Sequence, residues 1–199
     1  MEQKSDIQSQ TTELLRILDT NPNIKSIFKH VNFPNNMSWY LAGGCINQTV
    51  WNFITKRSWD YCISDYDIFY WDDDLSEAKE SNTQQIIRDQ FKSLNCELDV
   101  NNIARVHCWF SKYFGFEINQ YSNIEEDIAS MPSTVTGIGV TVQSGKKIVY
   151  APFGLSDLFS MKLRYNPETL IPIEFVIPKI EKWKTKWPEL IEIKNSYPR

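Results

Sequence analysis

No stretch of the 199 residues approaches the ~18 consecutive apolar residues that a membrane-spanning helix needs. The opening from Met1 to Leu15 also lacks an apolar run behind a basic one, so neither a signal peptide nor a membrane partner is expected. Cysteine is scarce: Cys45, Cys62, Cys96 and Cys108 lie far apart with no C-x-x-C pair, which argues against a zinc knuckle or a disulfide scaffold. Reduced thiols in a cytoplasmic protein are the expectation. No repeat or low-complexity linker breaks the chain. With 42% hydrophobic and 23% charged residues the composition excludes a disordered or fibrous class. The length fits one domain over residues 1–199, with N-terminal helices over 1–36, a core over 37–115 and a hairpin with a helical extension over 116–199.

Net charge is small, −4, but unevenly distributed. From Asp60 to Asp99 there are eleven acidic and three basic residues, a net of −8; from Ser160 to Arg199 there are eight basic and five acidic, a net of +3. An acidic region repels phosphates unless metal ions intervene, and a basic segment attracts them; two solvated surfaces are the plainer reading.

Leu14, Leu15 and Leu18 recur at helical spacing within Thr11–Leu18, and Asn21-Pro22 reads as cap and first position of a second helix. A strand over Trp39–Ala42 meets Gly43-Gly44, after which Ile46, Val50, Phe53 and Ile54 predict an amphipathic helix. Asp67–Trp71 reads as a buried strand, followed by a helix over about Ser76–Leu94 and a strand over Cys96–Val100. His107 falls on a helix stopping near Gly115, and Ser122-x-x-Glu125 resembles a capping box. Thr134–Val142 and Lys147–Ala151 flank Ser144-Gly145 as a hairpin, and the remainder reads as helical, with Pro178 starting or kinking its last helix. Strands alternating with helices favour an α/β fold, and the hairpin makes its sheet mixed.

Asp65 and Asp67 carry the strongest chemical signal. Side chains two apart on a strand share a face, so these carboxylates meet, and a Mg²⁺ between their oxygens removes their repulsion while neutralising phosphate charge. Upstream, a strand runs through Gly43-Gly44 into a helix whose first amides can receive an anion, although a tight structural turn is the commoner reason for a glycine pair. The turn matches neither the Walker loop nor the dinucleotide fingerprint. Glu97 and Asp99 share a face of a later strand, and either can supply a third carboxylate as base or ligand. His107 is suited to acid–base work but reads more simply as a hydrogen-bonded structural histidine.

These features together resemble the DNA polymerase β-like nucleotidyltransferase superfamily. Trp39–Cys45, Gln48–Asn52, Asp65–Tyr70, Ala104–His107 and Ala151–Phe159 are similar, in order, to an uncharacterised bacterial nucleotidyltransferase branch, over about Trp39 to Trp187. The resemblance implies that Asp65 and Asp67 bind two Mg²⁺ or Mn²⁺ ions, that Asp99 rather than Glu97 is the third carboxylate and base, and that Gly43 and Gly44 cradle a triphosphate. Lys162 resembles a phosphate-facing helix cation, with Arg164 a second candidate. Asn102-Ile103-Ala104-Arg105 departs from the Asn-Gln-Ala-Arg of the branch, which puts a local amide contact in doubt. The implied reaction moves an NMP from an NTP to a hydroxyl acceptor, a small molecule, protein or RNA, with release of pyrophosphate. A non-catalytic nucleotide-binding or regulatory module and a toxin-like transferase acting on protein or RNA are the alternatives.

Overall fold

A computed structural model describes residues 2–94 and 96–194, with side chains from residue 7 onward; the last part of the basic segment, 195–199, lies outside the described residues. The central sheet contains β1 (Trp39–Ala42), β2 (Asp65–Tyr70), β3 (Glu97–Asn102), β4 (Gly139–Gln143) and β5 (Lys146–Tyr150), in the order β3-β2-β1-β4-β5. β2 and β3 are parallel, joined across helix α4 (Glu77–Gln90), while the other pairings are antiparallel. The fold is therefore a mixed α/β sheet flanked by helices. Between α3 (Gly44–Ile54) and β2 the chain turns through two left-handed residues, Lys56 and Cys62, and brings β2 back antiparallel to β1. The hairpin of β4 and β5 continues this sheet, as the expected mixed sheet requires, with Leu41 opposite Val140 and Ala42 opposite Gly139.

Strand alternation divides the sheet into two unlike faces. Leu41, Tyr66, Ile68, Tyr70, Leu98, Val100 and Val140 belong to the larger core, with Leu14 and Leu18 of α1 (Glu2–Leu18), Ile24 and Ile27 of α2 (Pro22–His30), Trp51 of α3, and Ile180 and Trp183 of α8 (Ile173–Lys186). Polar bonds fix its layers: the Asn21 side chain caps α2 by accepting from the Asn23 and Ile24 amides and donates to Thr49 of α3 at 3.0 Å, while Asn23 donates to the Tyr66 hydroxyl at 3.2 Å. On the opposite face Tyr40, Ala42 and Phe69 meet Ile103, Val106 and Phe110 near α5 (Val106–Phe114) and Ile124 and Ile128 of α6 (Ile124–Ser130) in a smaller cluster. The carboxylates lie at the rim of this second face.

Several expected boundaries move for local reasons. β2 begins at Asp65, so both aspartates are strand residues, and β3 continues to Asn102, whose side chain bonds the Asp72 backbone and locks the ends of the two strands together. The cap of α6 is Asn123, accepting from the Glu126 amide at 2.8 Å while the Glu126 carboxylate accepts from the Ser122 amide at 2.6 Å, one residue beyond the expected box; Glu125 instead accepts from the Tyr40 hydroxyl at 2.7 Å. Ser144 and Gly145 both have positive φ, as a two-residue hairpin turn requires, but β4 starts only at Gly139 because residues 133–138 are held in turns. The C-terminal region also departs from the expected all-helical end. It contains α7 (Ser156–Phe159) and a parallel pair, β6 (Lys162–Arg164) with β7 (Ile191–Ile193); Pro178, expected to start or kink the last helix, lies inside α8.

Candidate functional site

In the parallel β2–β3 pair Asp65 stands opposite Glu97 and Asp67 opposite Asp99, so the register gathers four acidic positions on one face at the sheet edge. Asp65 and Asp67 are partly buried, whereas Glu97 and Asp99 are exposed. Among the described residues no three Asp, Glu, His or Cys side chains close into a metal-holding group; these carboxylates form a row rather than a cage.

Asp67 sits against the glycine turn. Ala42, its partner on β1, leads into Gly43, whose φ of 71° is the left-handed geometry glycine favours, and a Cβ there would lie 2.7 Å from Asp67 Oδ2. The Gly44 amide, opening α3, donates to the Asp67 carboxylate, so one donor assigned by sequence to a phosphate serves a protein carboxylate here. With its nitrogen facing the turn, the buried Asn47 carboxamide donates to the Gly43 and Gly44 carbonyls at 3.1 and 3.2 Å. Burial pushes the Asp67 carboxyl up to about 7, Asp65 and Asp99 add to the rise, and Lys179 and the Gly44 amide oppose it.

Among the described residues, the cation whose charge acts on Asp67 is Lys179, on α8, which the sequence reading did not single out. Its Nζ lies 5.2 Å from the Trp183 ring centre. Lys162 is not on a helix: left-handed Met161 follows the single turn of α7, and Lys162 opens strand β6. Its charge acts on Asp157, which Arg164 Nε also contacts at 2.8 Å and Thr134 at 2.9 Å. Lys162 and Arg164 therefore centre on Asp157, while Lys179 bears on the carboxylate row.

Asp127, in the first turn of α6, was also missed. Its carboxyl is pushed up to about 7, chiefly by burial and then by Asp67. The two aspartates border an apolar pocket of about 220 Å³ lined by Phe69, Ile103, Phe110, Phe114 and Tyr121 among others. Ile103, standing where the resemblance calls for glutamine, supplies part of this apolar wall. Only the fold brings Asp127 beside Asp67, because in sequence it reads as one of three acids at a helix start. Asn101, Trp109 and Phe114 are shared with a larger cleft of about 760 Å³ that opens at Asp99.

Arg105 has a structural role. Its guanidinium pairs with Glu80, whose other oxygen accepts from the Asn102 amide at 2.9 Å, and its Nε donates to the Leu75 carbonyl at 2.8 Å, tying α4 to the end of β3. His107 is hydrogen-bonded at one ring nitrogen, its Nε2 lying 3.5 Å from Cys108 Sγ, while its buried Nδ1 has no partner.

A nucleotidyltransferase family model matches residues 28–191, which include every expected site residue. The chain belongs to this nucleotidyltransferase family. A solution NMR structure described as revealing a CCA-adding enzyme head domain aligns with 92% of this chain and 95% of its own, at a TM-score of 0.72 and 20% identity, a likeness of fold. Comparison with curated proteins finds no match.

For this nucleotidyltransferase, the donor chemistry suits a hard divalent ion. Mg²⁺ is commonly held by one or two carboxylates plus substrate phosphate oxygens rather than by a closed protein cage, as a row of acids beside a glycine turn permits. The mutual repulsion that helps raise the Asp67 carboxyl is the penalty such an ion would relieve.

Proposed function

We propose that the protein transfers an NMP from an NTP to a hydroxyl acceptor, with pyrophosphate leaving. The observation carrying this reading is the register that sets Asp65 and Asp67 beside Asp99, with Asp67 packed on the left-handed Gly43 turn, in a chain of nucleotidyltransferase family and fold. Asp65, Asp67 and Asp99 would hold the divalent ions, which supply neutralisation of phosphate charge when bound. The chain's own groups do the rest. Asp99, exposed at the sheet edge, accepts the acceptor's hydroxyl proton. Beyond Gly44, whose amide serves Asp67, the first turn of α3 would offer its remaining backbone N–H groups to the triphosphate, and Lys179 adds a positive charge that acts on Asp67. The small apolar cluster beside β2 borders one flank of the carboxylates.

Incubation with each α-labelled NTP, Mg²⁺ or Mn²⁺ and a cell extract tests the reading. We expect label in an acceptor and equimolar pyrophosphate from wild type, and neither from Asp67→Asn. Mg²⁺-dependent NTP binding without release of pyrophosphate under any condition would leave a nucleotide-binding module.

A further inference from the structure

Resting on the nucleotidyl-transfer reading, we propose that the acceptor occupies the cleft beside Asp99 and is a small neutral molecule joining a planar ring to a hydroxyl, of nucleoside type, rather than RNA or protein. The cleft holds about 760 Å³, within the range of small-molecule sites, and opens at Asp99 and Asn101. Its outer wall is aromatic and unusually exposed: Trp109 is 37%, Tyr113 64% and Phe175 49% accessible, whereas Trp51 and Trp187 are fully buried. Tyr113 stands edge-on to Trp109 with ring centres 5.5 Å apart, and Phe175 edge-on to Phe114 at 5.2 Å. Such rings offer faces on which a flat heterocycle stacks, gaining energy without sequence readout.

Charge selects among ring-bearing acceptors. Arg105 is engaged by Glu80 and Glu77, so the cleft carries three carboxylates, Glu77, Glu80 and Asp99, against Arg105 and Lys112, a net of −1 with Lys112 its one cation outside those ion pairs. A polyanion would find no row of cations to replace its counterions. Position separates acceptor from donor. Asp99 lines the cleft, but Asp65, Gly43 and Gly44 do not, so the triphosphate side lies elsewhere. Asn101, Trp109 and Phe114 connect the cleft with the inner pocket that reaches Asp67. A ring on Trp109 and Tyr113 can therefore direct its hydroxyl toward the carboxylates. The acceptor oxygen bonds to the α-phosphorus as the bond to pyrophosphate breaks, and the hydroxyl proton passes to Asp99, so atoms balance with no further reactant.

Two measurements on the full chain decide this. First, the indole N–H resonance of Trp109, assigned with Trp109→Phe, is followed during titration with adenosine, guanosine and cytidine; at least one should shift it while leaving exposed Trp59 unmoved. Second, Tyr113→Ala and Trp109→Ala should weaken binding of that nucleoside about tenfold, the scale of one lost stacking partner, with NTP affinity held within about twofold. No shift with any nucleoside, an equal shift with a short RNA, or an about tenfold loss of NTP affinity in both variants overturns the proposal; the last would make the cleft the NTP's base site. Failure of wild type to bind any NTP with Mg²⁺ strikes the transfer reading instead, while the nucleoside titration still decides the occupant of the cleft.

Discussion

Asp67 and Ile68 are consecutive residues of β2 in opposite surroundings. Ile68 is fully buried in the larger core, between sheet and helices, with Leu41 opposite it on β1 and Val100 on β3. Asp67 projects to the other face, where β3 brings Asp99, the α3 turn brings the Gly44 amide, and the covering cluster from α5 and α6 leaves a pocket. The larger core lies on one face and the carboxylate row on the other, with a single strand carrying both at a period of two. Packing a complete core on the first face allows the second to hold a repelling row of carboxylates.

The sharpest way to separate the faces is a pair of adjacent substitutions. Asp67→Asn should lower NMP transfer by roughly 10²–10³-fold, the scale of losing one preorganised charge at a reacting phosphate, with no fall in Tm. Ile68→Ala should cost ~2–5 kcal/mol in denaturant unfolding through the cavity it leaves. Loss of stability in Asp67→Asn comparable to that in Ile68→Ala would erase the distinction. Within the acidic row, Asp99→Asn should reduce transfer by at least about tenfold while sparing NTP affinity, and Glu97→Gln should change it by about twofold or less. The reverse ranking would move the proton acceptor to Glu97.

Gly43→Ala attacks the junction of the two faces. The new methyl would meet Asp67 Oδ2 at 2.7 Å on a backbone with φ of 71°, so both strain and displacement of the carboxylate follow. We expect destabilisation of about 1–2 kcal/mol, together with an about tenfold fall in transfer. A variant of unchanged activity would show that the turn is only a turn.

Burial of carboxyls on the second face also has a pH signature. Burial, and then the charge of Asp67, push the Asp127 carboxyl up to about 7 in the folded protein against ~3.9 in an unfolded chain. Below pH ~4 both states carry the proton and the contribution to stability is fully present. Between ~4 and 7 the unfolded chain ionises first, so stability falls with rising pH by at most ~1.4 kcal/mol per unit, and above 7 the loss is complete. Asp127→Asn should flatten this slope and be the more stable protein at pH 8 in chelator. Parallel stability curves for wild type and variant would contradict a raised carboxyl.

The sequence made the first face and half of the second legible. Period-two alternation through Asp65–Tyr70 and the Gly43-Gly44 punctuation are local signals, and the structure keeps both. Asp127 and Lys179 were not legible because they reach Asp67 from helices far along the chain, and nothing local distinguishes them from solvated charges. β6 and β7 escaped notice because each is three residues long and pairs with a distant partner, too short for a pattern to emerge. For Lys162 the resemblance implies a helix cation, but α7 makes a single turn over Ser156–Phe159 and left-handed Met161 ends it before the lysine.

The smallest effect, and the finest discrimination, lies between two lysines. Lys179 is the cation that opposes ionisation repulsion at Asp67, while Lys162 acts on Asp157, already bound by Arg164 and Thr134. Lys179 is exposed, so solvent screens its contribution and the loss should be modest. Lys179→Ala should weaken NTP binding about threefold to tenfold at low ionic strength, with Lys179→Arg recovering part of it and the difference shrinking as salt is added. Lys162→Ala should stay within about twofold, matching Lys194→Ala as a control for removal of one positive charge. Nucleotide titrations of the four variants at matched ionic strength measure the ranking. A larger loss from Lys162→Ala than from Lys179→Ala would restore the β6 lysine as the phosphate contact and require the triphosphate to approach from the side of Asp157.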